Sequence, residues 1–153
     1  MRIYHHDLIP CLPSPLLRAL HRDLANLRGR GWGKRSPALR HLSQGTIQHL
    51  LQYHTTVLRE MIRRGWRPCS RWFEGVYRGR SLEPFAAQWV GWDGSGPLYP
   101  EHTEAYLRQG VAFLEGKLAD LDFPLGETER ALRAAQLRAL MVRRKGPRAR
   151  VGK

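Results

Sequence analysis

A chain of 153 residues, 42% apolar and 25% charged, is sized for one domain with its own core, and its composition excludes wholesale disorder. It holds no apolar run long enough to span a bilayer, no apolar leader in its opening MRIYHHDLIPCLPSP, and in Cys11 and Cys69 too few cysteines for a disulfide framework or a four-cysteine zinc site. Its 26 basic against 13 acidic residues give a net charge of +13, carried by 22 Arg and only 4 Lys, which points to a polyanionic partner met by guanidinium groups.

Ser14-Pro15 opens the first predicted helix, with Ser14 as N-cap and Pro15 at the first helical position. Leu16, Leu17, Leu20, Leu24 and Leu27 follow at helical spacing and Gly29 ends it, with loop residues running on through Pro37. A second helix is predicted from Thr46 to Arg64. It carries Ile47, Leu50, Leu51, His54, Val57, Leu58, Met61 and Ile62 on one broad face, with Gly65 and Pro68 marking its end. From Trp66 to Pro100 the glycines and prolines predict turns and short helices. The aromatics Trp66, Trp72, Phe73, Tyr77, Phe85, Trp89 and Trp92 must pack on the helices to stay dry. A third helix from Thr103 to Asp120 turns Tyr106, Leu107, Gly110, Val111, Phe113, Leu114 and Leu118 inward, and a fourth runs from Thr128 to Arg143. The closing RRKGPRARVGK has six basic residues and no acid, and reads as a disordered tail. The expectation is an all-α, compact single-domain fold over residues 1–142, with an irregular aromatic-rich middle segment and a basic tail over 143–153.

The loop Arg28 to Arg35, RGRGWGKR, sets Arg28, Arg30, Lys34, Arg35 and Trp32 among three glycines. That composition suits backbone contact with phosphates, with the ring free to wedge or stack. The spacing is not that of a P-loop. In the first helix Asp23 falls beside Leu27 at the edge of the leucine stripe, while Arg18 and Arg22 project from the wetter side. Asp23 is the only acid between Pro10 and Glu60. A solitary carboxylate among arginines is either the centre of a structural ion pair or a catalytic group. His5-His6-Asp7 are consecutive, but no H-x-x-x-H or C-x-x-C accompanies them, and no metal site is expected.

Arg2-Ile3, His21-Arg22-Asp23-Leu24 and Glu60-Met61-Ile62-Arg63-Arg64-Gly65-Trp66, in this order and spacing, resemble the pyrimidine-dimer DNA glycosylases, the phage endonuclease V family. The phage enzyme reads Arg-Ile at its start, Tyr-Arg-Glu-Leu in its first helix and Glu-Cys-Leu-Lys-Arg-Gly-Phe closing its second. Glu104-Ala105 and Ala112 to Lys117 resemble its last long helix, so the likeness spans most of residues 1–120. The fuller opening, MRIYHHDLIPCLP with HRDLANLRGRGWGK, resembles the bacterial branch of the family.

What the resemblance implies is a small all-α DNA base-excision enzyme, an N-glycosylase and AP lyase without metal or cofactor. Its nucleophile is the α-amine of the first residue, here Met1, and its acid falls at Asp23, where the family has Glu. Arg2, Arg22 and Lys117 match basic positions of the family. Phe113 and Asn26 replace two of its arginines, with Arg28 as the compensating cation. The C-terminal aromatic cluster is reduced to Phe123. The implied partner is double-stranded DNA, carrying a pyrimidine dimer, another damaged base or an abasic site. DNA contacts are expected from Arg2, Arg18, Arg22, Arg28, Arg30, Trp32, Lys34, Arg35 and Lys117. No membrane and no small-molecule cofactor is expected, and the protein is read as a cytoplasmic, nucleoid-associated monomer. The alternative is a non-catalytic nucleic-acid-binding protein on the same scaffold, for which the net charge alone would suffice.

Overall fold

Leucines recurring every three or four residues make the first element. In a computed structural model, which describes residues 3–31, 47–86, 99 and 101–146, they line α1, Ser14–Arg28, with Leu17, Leu20, Leu24 and Leu27 buried. Ser14 is not the N-cap. Pro13 takes that place, and the Ser14 backbone N–H and hydroxyl both donate to Glu129 Oε1, at 2.8 and 2.5 Å. The expected cap is thus drawn into a contact with the far end of the chain.

The second helix, α2, runs Ile47–Arg63 and buries Leu50, Leu51, Tyr53, His54, Val57, Leu58, Glu60 and Met61, much as its periodicity requires. It ends as predicted. Gly65, at φ +82°, donates to Ile62 O while Trp66 N donates to Met61 O, the paired bonds of a Schellman turn. Ile62 departs from the prediction: it lies half-exposed at 51%. The middle segment is turns with one 3-10 turn, Ser70–Phe73, as read from its glycines and prolines. Tyr77 and Phe85 are buried and Trp66 and Trp72 pack on the core, but Phe73 faces solvent. Trp89 and Trp92 lie outside the described residues.

Helix α3, Glu104–Ala119, is capped by Thr103, whose hydroxyl accepts from Tyr106 N. Helix α4, Glu127–Arg144, follows after a short turn. The four helices and no strand, among the described residues, make the all-α fold that was expected. No helix is long and apolar enough to cross a membrane, among the same residues.

The element that the periodicity did not reveal is a 3-10 turn at His6–Cys11, and it is the hub of the core. Leu8, Ile9 and Leu12 are fully buried there, between α2, α3 and α4. Polar ties converge on the same place. Glu60, buried at 6% exposure, accepts from Arg63 Nε and Nη2 and from Arg64 Nε at 2.6–2.7 Å. Burial pushes its carboxyl up, but the two guanidinium donors outweigh that and hold it below the usual range. Arg64 and Arg133 both reach Pro10 O, and Arg133 pairs with Glu129. Arg144 ties the end of α4 to Asp7 and Glu104.

Close packing at this hub is testable at two glycines of α3. A Cβ on Gly110 would lie 2.5 Å from Cδ1 of the fully buried Leu8, whereas a Cβ on Gly116 would meet nothing within 4 Å. Gly110→Ala is expected to destabilise by about 1–3 kcal/mol through overpacking, and Gly116→Ala to stabilise by about 0.5–1 kcal/mol through helix propensity. Urea unfolding of both variants checks the opposite signs; a Gly110→Ala chain as stable as the parent would mean the hub is looser than this packing.

Candidate functional site

Residues 23, 26 and 27 recur at helical spacing, so the C-terminal part of α1 presents Asp23, Asn26 and Leu27 along one line, and Arg30 stands in the turn that follows. Opposite them stand Trp72 and the segment 78–82. Between the two walls lies a cleft of about 600 Å³, lined by Asp23, Asn26, Arg30, Trp72, Arg78 and Arg80 among others. Asp23 is half-buried, and its carboxylate makes no ion pair or hydrogen bond among the described residues. The structural ion-pair centre that spacing left open is therefore not formed among them. What exists is one unpaired acid in a cleft with three arginines.

Two arginines hold the walls together, and each grips the opposite one. Arg28, the last residue of α1, is 1% exposed. It donates from Nη1 to Trp72 O at 2.7 Å and from Nη2 to Glu74 O at 2.9 Å and Tyr77 O at 2.8 Å. Its guanidinium also lies 5.1 Å from the centre of the Trp72 ring. Arg78 reaches back, donating from Nε to Arg28 O at 3.1 Å and from Nη2 to Gly29 O at 2.9 Å. These are carbonyls that a helix end leaves without partners, and a cation there also opposes the negative end of the helix dipole. Gly29 permits the close approach: a Cβ there would lie 3.1 Å from Arg78 O.

Arg28 thus corrects an expectation. It was read as a DNA-facing cation of the glycine-rich loop, but its charge is directed into backbone carbonyls and it is not at the surface. No carboxylate among the described residues pairs with it. Burial lowers its pKa to about 10, which still leaves it charged at neutral pH.

A pair of histidines extends this network. Arg28 Nη1 lies 3.2 Å from His54 Nδ1, and His54 Nε2 lies 2.9 Å from His21 Nδ1. Trp72 packs against both rings, edge-on to His21 at 6.3 Å and tilted to His54 at 5.5 Å. His54 is completely buried; burial first, then Arg28 and His21, holds it well below the ordinary histidine value. Burial and then Arg28 lower His21 in the same direction.

The remaining expected residues fall as follows. Arg18 and Arg22 are exposed on α1, Arg18 stacked 4.9 Å over the Trp66 ring. Arg30 is exposed at the cleft. Lys117 is half-buried, its Nζ 5.7 and 5.5 Å from the Phe113 and Phe123 ring centres. Met1, Arg2, Trp32, Lys34 and Arg35 lie outside the described residues. The chain leading to Met1 is anchored: Tyr53 exchanges hydrogen bonds with Tyr4 N and O, and the Tyr106 hydroxyl donates to Ile3 O. Sequence reasoning missed Arg78, Arg80, Trp72, His21 and His54. His5, His6 and Asp7 bring possible ligand atoms within 4.8 Å of one another. Their bonds run elsewhere: His5 Nδ1 accepts from Asp7 N, His5 Nε2 meets His102 O, and Asp7 pairs with Arg144.

Residues 1–74 match the family model described as pyrimidine dimer DNA glycosylase. No curated protein and no solved structure matches the chain. The matched span includes α1, α2, Asp23, Arg28 and both histidines; Arg78 and Arg80 lie beyond it.

Replacing Arg28 should separate the buried cation from its exposed neighbour. Arg28→Met strands the Trp72 and Tyr77 carbonyls and is expected to cost about 2–3 kcal/mol, whereas Arg30→Met should stay within about 0.5 kcal/mol of the parent. Equal stabilities in urea would show that the tie carries no load. The histidines give a second expectation. Both titrate lower in the folded chain than the 6.5 of the unfolded one. Above pH 6.5 neither state binds the proton and the effect is silent. Below it the unfolded chain is protonated first, so stability falls as pH falls, by up to about 1.4 kcal/mol per pH unit for each histidine still neutral when folded. The stability lost between pH 7.5 and 5.5 should be smaller in His54→Gln than in the parent; an unchanged loss would remove His54 from the linkage.

Proposed function

We propose, on the match of residues 1–74 to the pyrimidine dimer DNA glycosylase model, that the chain is a DNA-repair N-glycosylase with AP-lyase activity, acting at the cleft that holds Asp23. The observation that carries this reading is the Asp23 carboxylate, in the matched part of the chain and without an ion pair among the described residues, lining a cleft with Arg30, Arg78 and Arg80. The arginines suit the phosphates flanking a target nucleotide, and the acid suits a sugar on which positive charge develops.

The nucleophile in this reading is the Met1 α-amine. Unperturbed an α-amine titrates near 7.7–8.0, so part of it is a free nucleophile at neutral pH. The neutral amine attacks C1′. The N–C1′ bond forms as the glycosidic bond breaks, and the base leaves with the bonding pair and takes up a proton. The C1′–O4′ bond then opens to give an imine. The imine acidifies C2′; loss of a C2′ proton expels the 3′ phosphate by β-elimination and cuts the strand. Asp23 stabilises the oxocarbenium charge of the first step and shuttles protons in the later ones. The target nucleotide must be reached by bending the duplex or turning a nucleotide out, at a cost of a few kcal/mol. Double-stranded DNA with a pyrimidine dimer, another damaged base or an abasic site is the substrate class.

Borohydride reduction on three duplexes, dimer-containing, abasic and undamaged, tests the reading. A covalent protein–DNA adduct is expected on the first two, and blocking or extending the N-terminus should abolish it. Asp23→Asn should bind within about twofold of the parent but turn over at least about a hundredfold more slowly. Tight, salt-sensitive binding with no trapped adduct on any duplex would instead leave the non-catalytic DNA-binding protein; normal cutting by Asp23→Asn would remove its assignment.

A further inference from the structure

Arginine has no acceptor, so in the contact between Arg28 Nη1 and His54 Nδ1 the histidine nitrogen must accept. A neutral His54 therefore carries its one ring proton on Nε2. That N–H is 2.9 Å from His21 Nδ1, which must accept in turn. The proton of a neutral His21 is thereby forced onto its own Nε2. This atom makes no hydrogen bond among the described residues, and it is not among the buried side-chain atoms left without a partner, as Arg28 Nε is. His21 as a whole is half-buried, not enclosed.

The chain of constraints starts in the core and ends at the surface. Arg28 is pinned by three carbonyls, His54 by Arg28, and His21 by His54 and by the edge of Trp72. The donor it delivers belongs to the same two turns of α1 as Arg18 and Arg22, both exposed. From this we infer that His21 Nε2–H is a fixed, uncharged donor to a phosphate oxygen of DNA, beside two exposed arginines of the same helix. This rests on the DNA-binding half of the reading above and not on its glycosylase chemistry. The division of labour is physical. Arg18 and Arg22 supply attraction through counterion release, which weakens as salt rises. A neutral N–H held in one orientation adds direction without adding charge, and so fixes the register of the backbone along α1.

The test uses the full chain, an undamaged DNA duplex and fluorescence anisotropy across 50–200 mM salt, so that it stands whatever the fate of the glycosylase chemistry. His21→Phe keeps the ring but loses the donor, and should weaken binding about tenfold with no change in the slope of log Kd against log salt. Arg22→Ala should lower that slope by about 0.9. His21→Gln can accept from His54 with its carbonyl and donate outward with its amide, and should bind within about twofold of the parent. Unchanged binding by His21→Phe overturns the inference. So does His21→Gln as weak as His21→Phe, which would mark a packing role, or a slope change in His21→Phe, which would mark a charged ring. If His21→Phe does not fold, the parent chain decides. Long-range ¹⁵N correlation spectra should show His21 as the Nε2–H tautomer, with ring signals that move when duplex is added. The other tautomer, or signals that stay in place, overturns it.

Discussion

The Arg28 guanidinium is held at 1% exposure with no carboxylate against it among the described residues, and the shape of the cleft follows from how that charge is satisfied. A buried cation is costly unless its donors are met. Here the carbonyls of Trp72, Glu74 and Tyr77 meet those on Nη1 and Nη2, and a carbonyl can do so only from one place. A lysine could not hold the same set, because its ammonium is a point charge and not a planar fork. The segment 72–77 has no long helix of its own; Arg28 gives it a defined position against α1.

Reciprocity makes this a clamp and not a single tie. Arg78 belongs to the segment that Arg28 holds, and it donates to the last carbonyls of α1. Each wall thus supplies donors to main-chain oxygens of the other, and the cleft between them is an outcome of backbone satisfaction. Its chemistry comes along with it. Arg78 and Arg80 arrive at the cleft because the clamp brings their segment there, and Asp23 stands opposite them on α1. The same guanidinium orders His54 and, through it, His21, so one buried charge governs both the cleft and a polar group on the adjoining face of α1.

The helices were legible because burial of a continuous stripe leaves a period in the sequence. Each observed helix begins and ends within one residue of its expected bounds, and Gly65 and Thr103 mark termini for the reasons their types suggest. The 3-10 turn His6–Cys11 was not legible, since it is too short to show a period and contains Pro10. Ser14 was misread because a cap and a long-range acceptor contact, here with Glu129, look alike from sequence. At the site, Asp23 stood out by its isolation among basic residues, whereas Arg28 looked like any arginine beside a glycine. Its partners are backbone carbonyls, which carry no residue identity. Arg78 and the two histidines were hidden for the same reason: their roles are set by distant main chain and by one another, across 33 residues for the histidine pair.

The departures from the family pattern make better sense in this cleft than along the chain. Asp23 and Asn26 are three residues apart, so they share one wall, and each is shorter than the residue the family carries there. On the proposed function, a carboxylate one methylene shorter requires the reacting sugar to come closer to α1, by about the length of one carbon–carbon bond. An arginine one turn on would crowd that approach; an asparagine leaves room for it. The positive charge lost at Asn26 is present across the cleft, on Arg78 and Arg80, which Arg28 brings into place from the core. On the proposed function, the shortened acid, the missing arginine and the buried Arg28 are then one coupled change, in which the cations move to the facing wall and the substrate moves toward the helix.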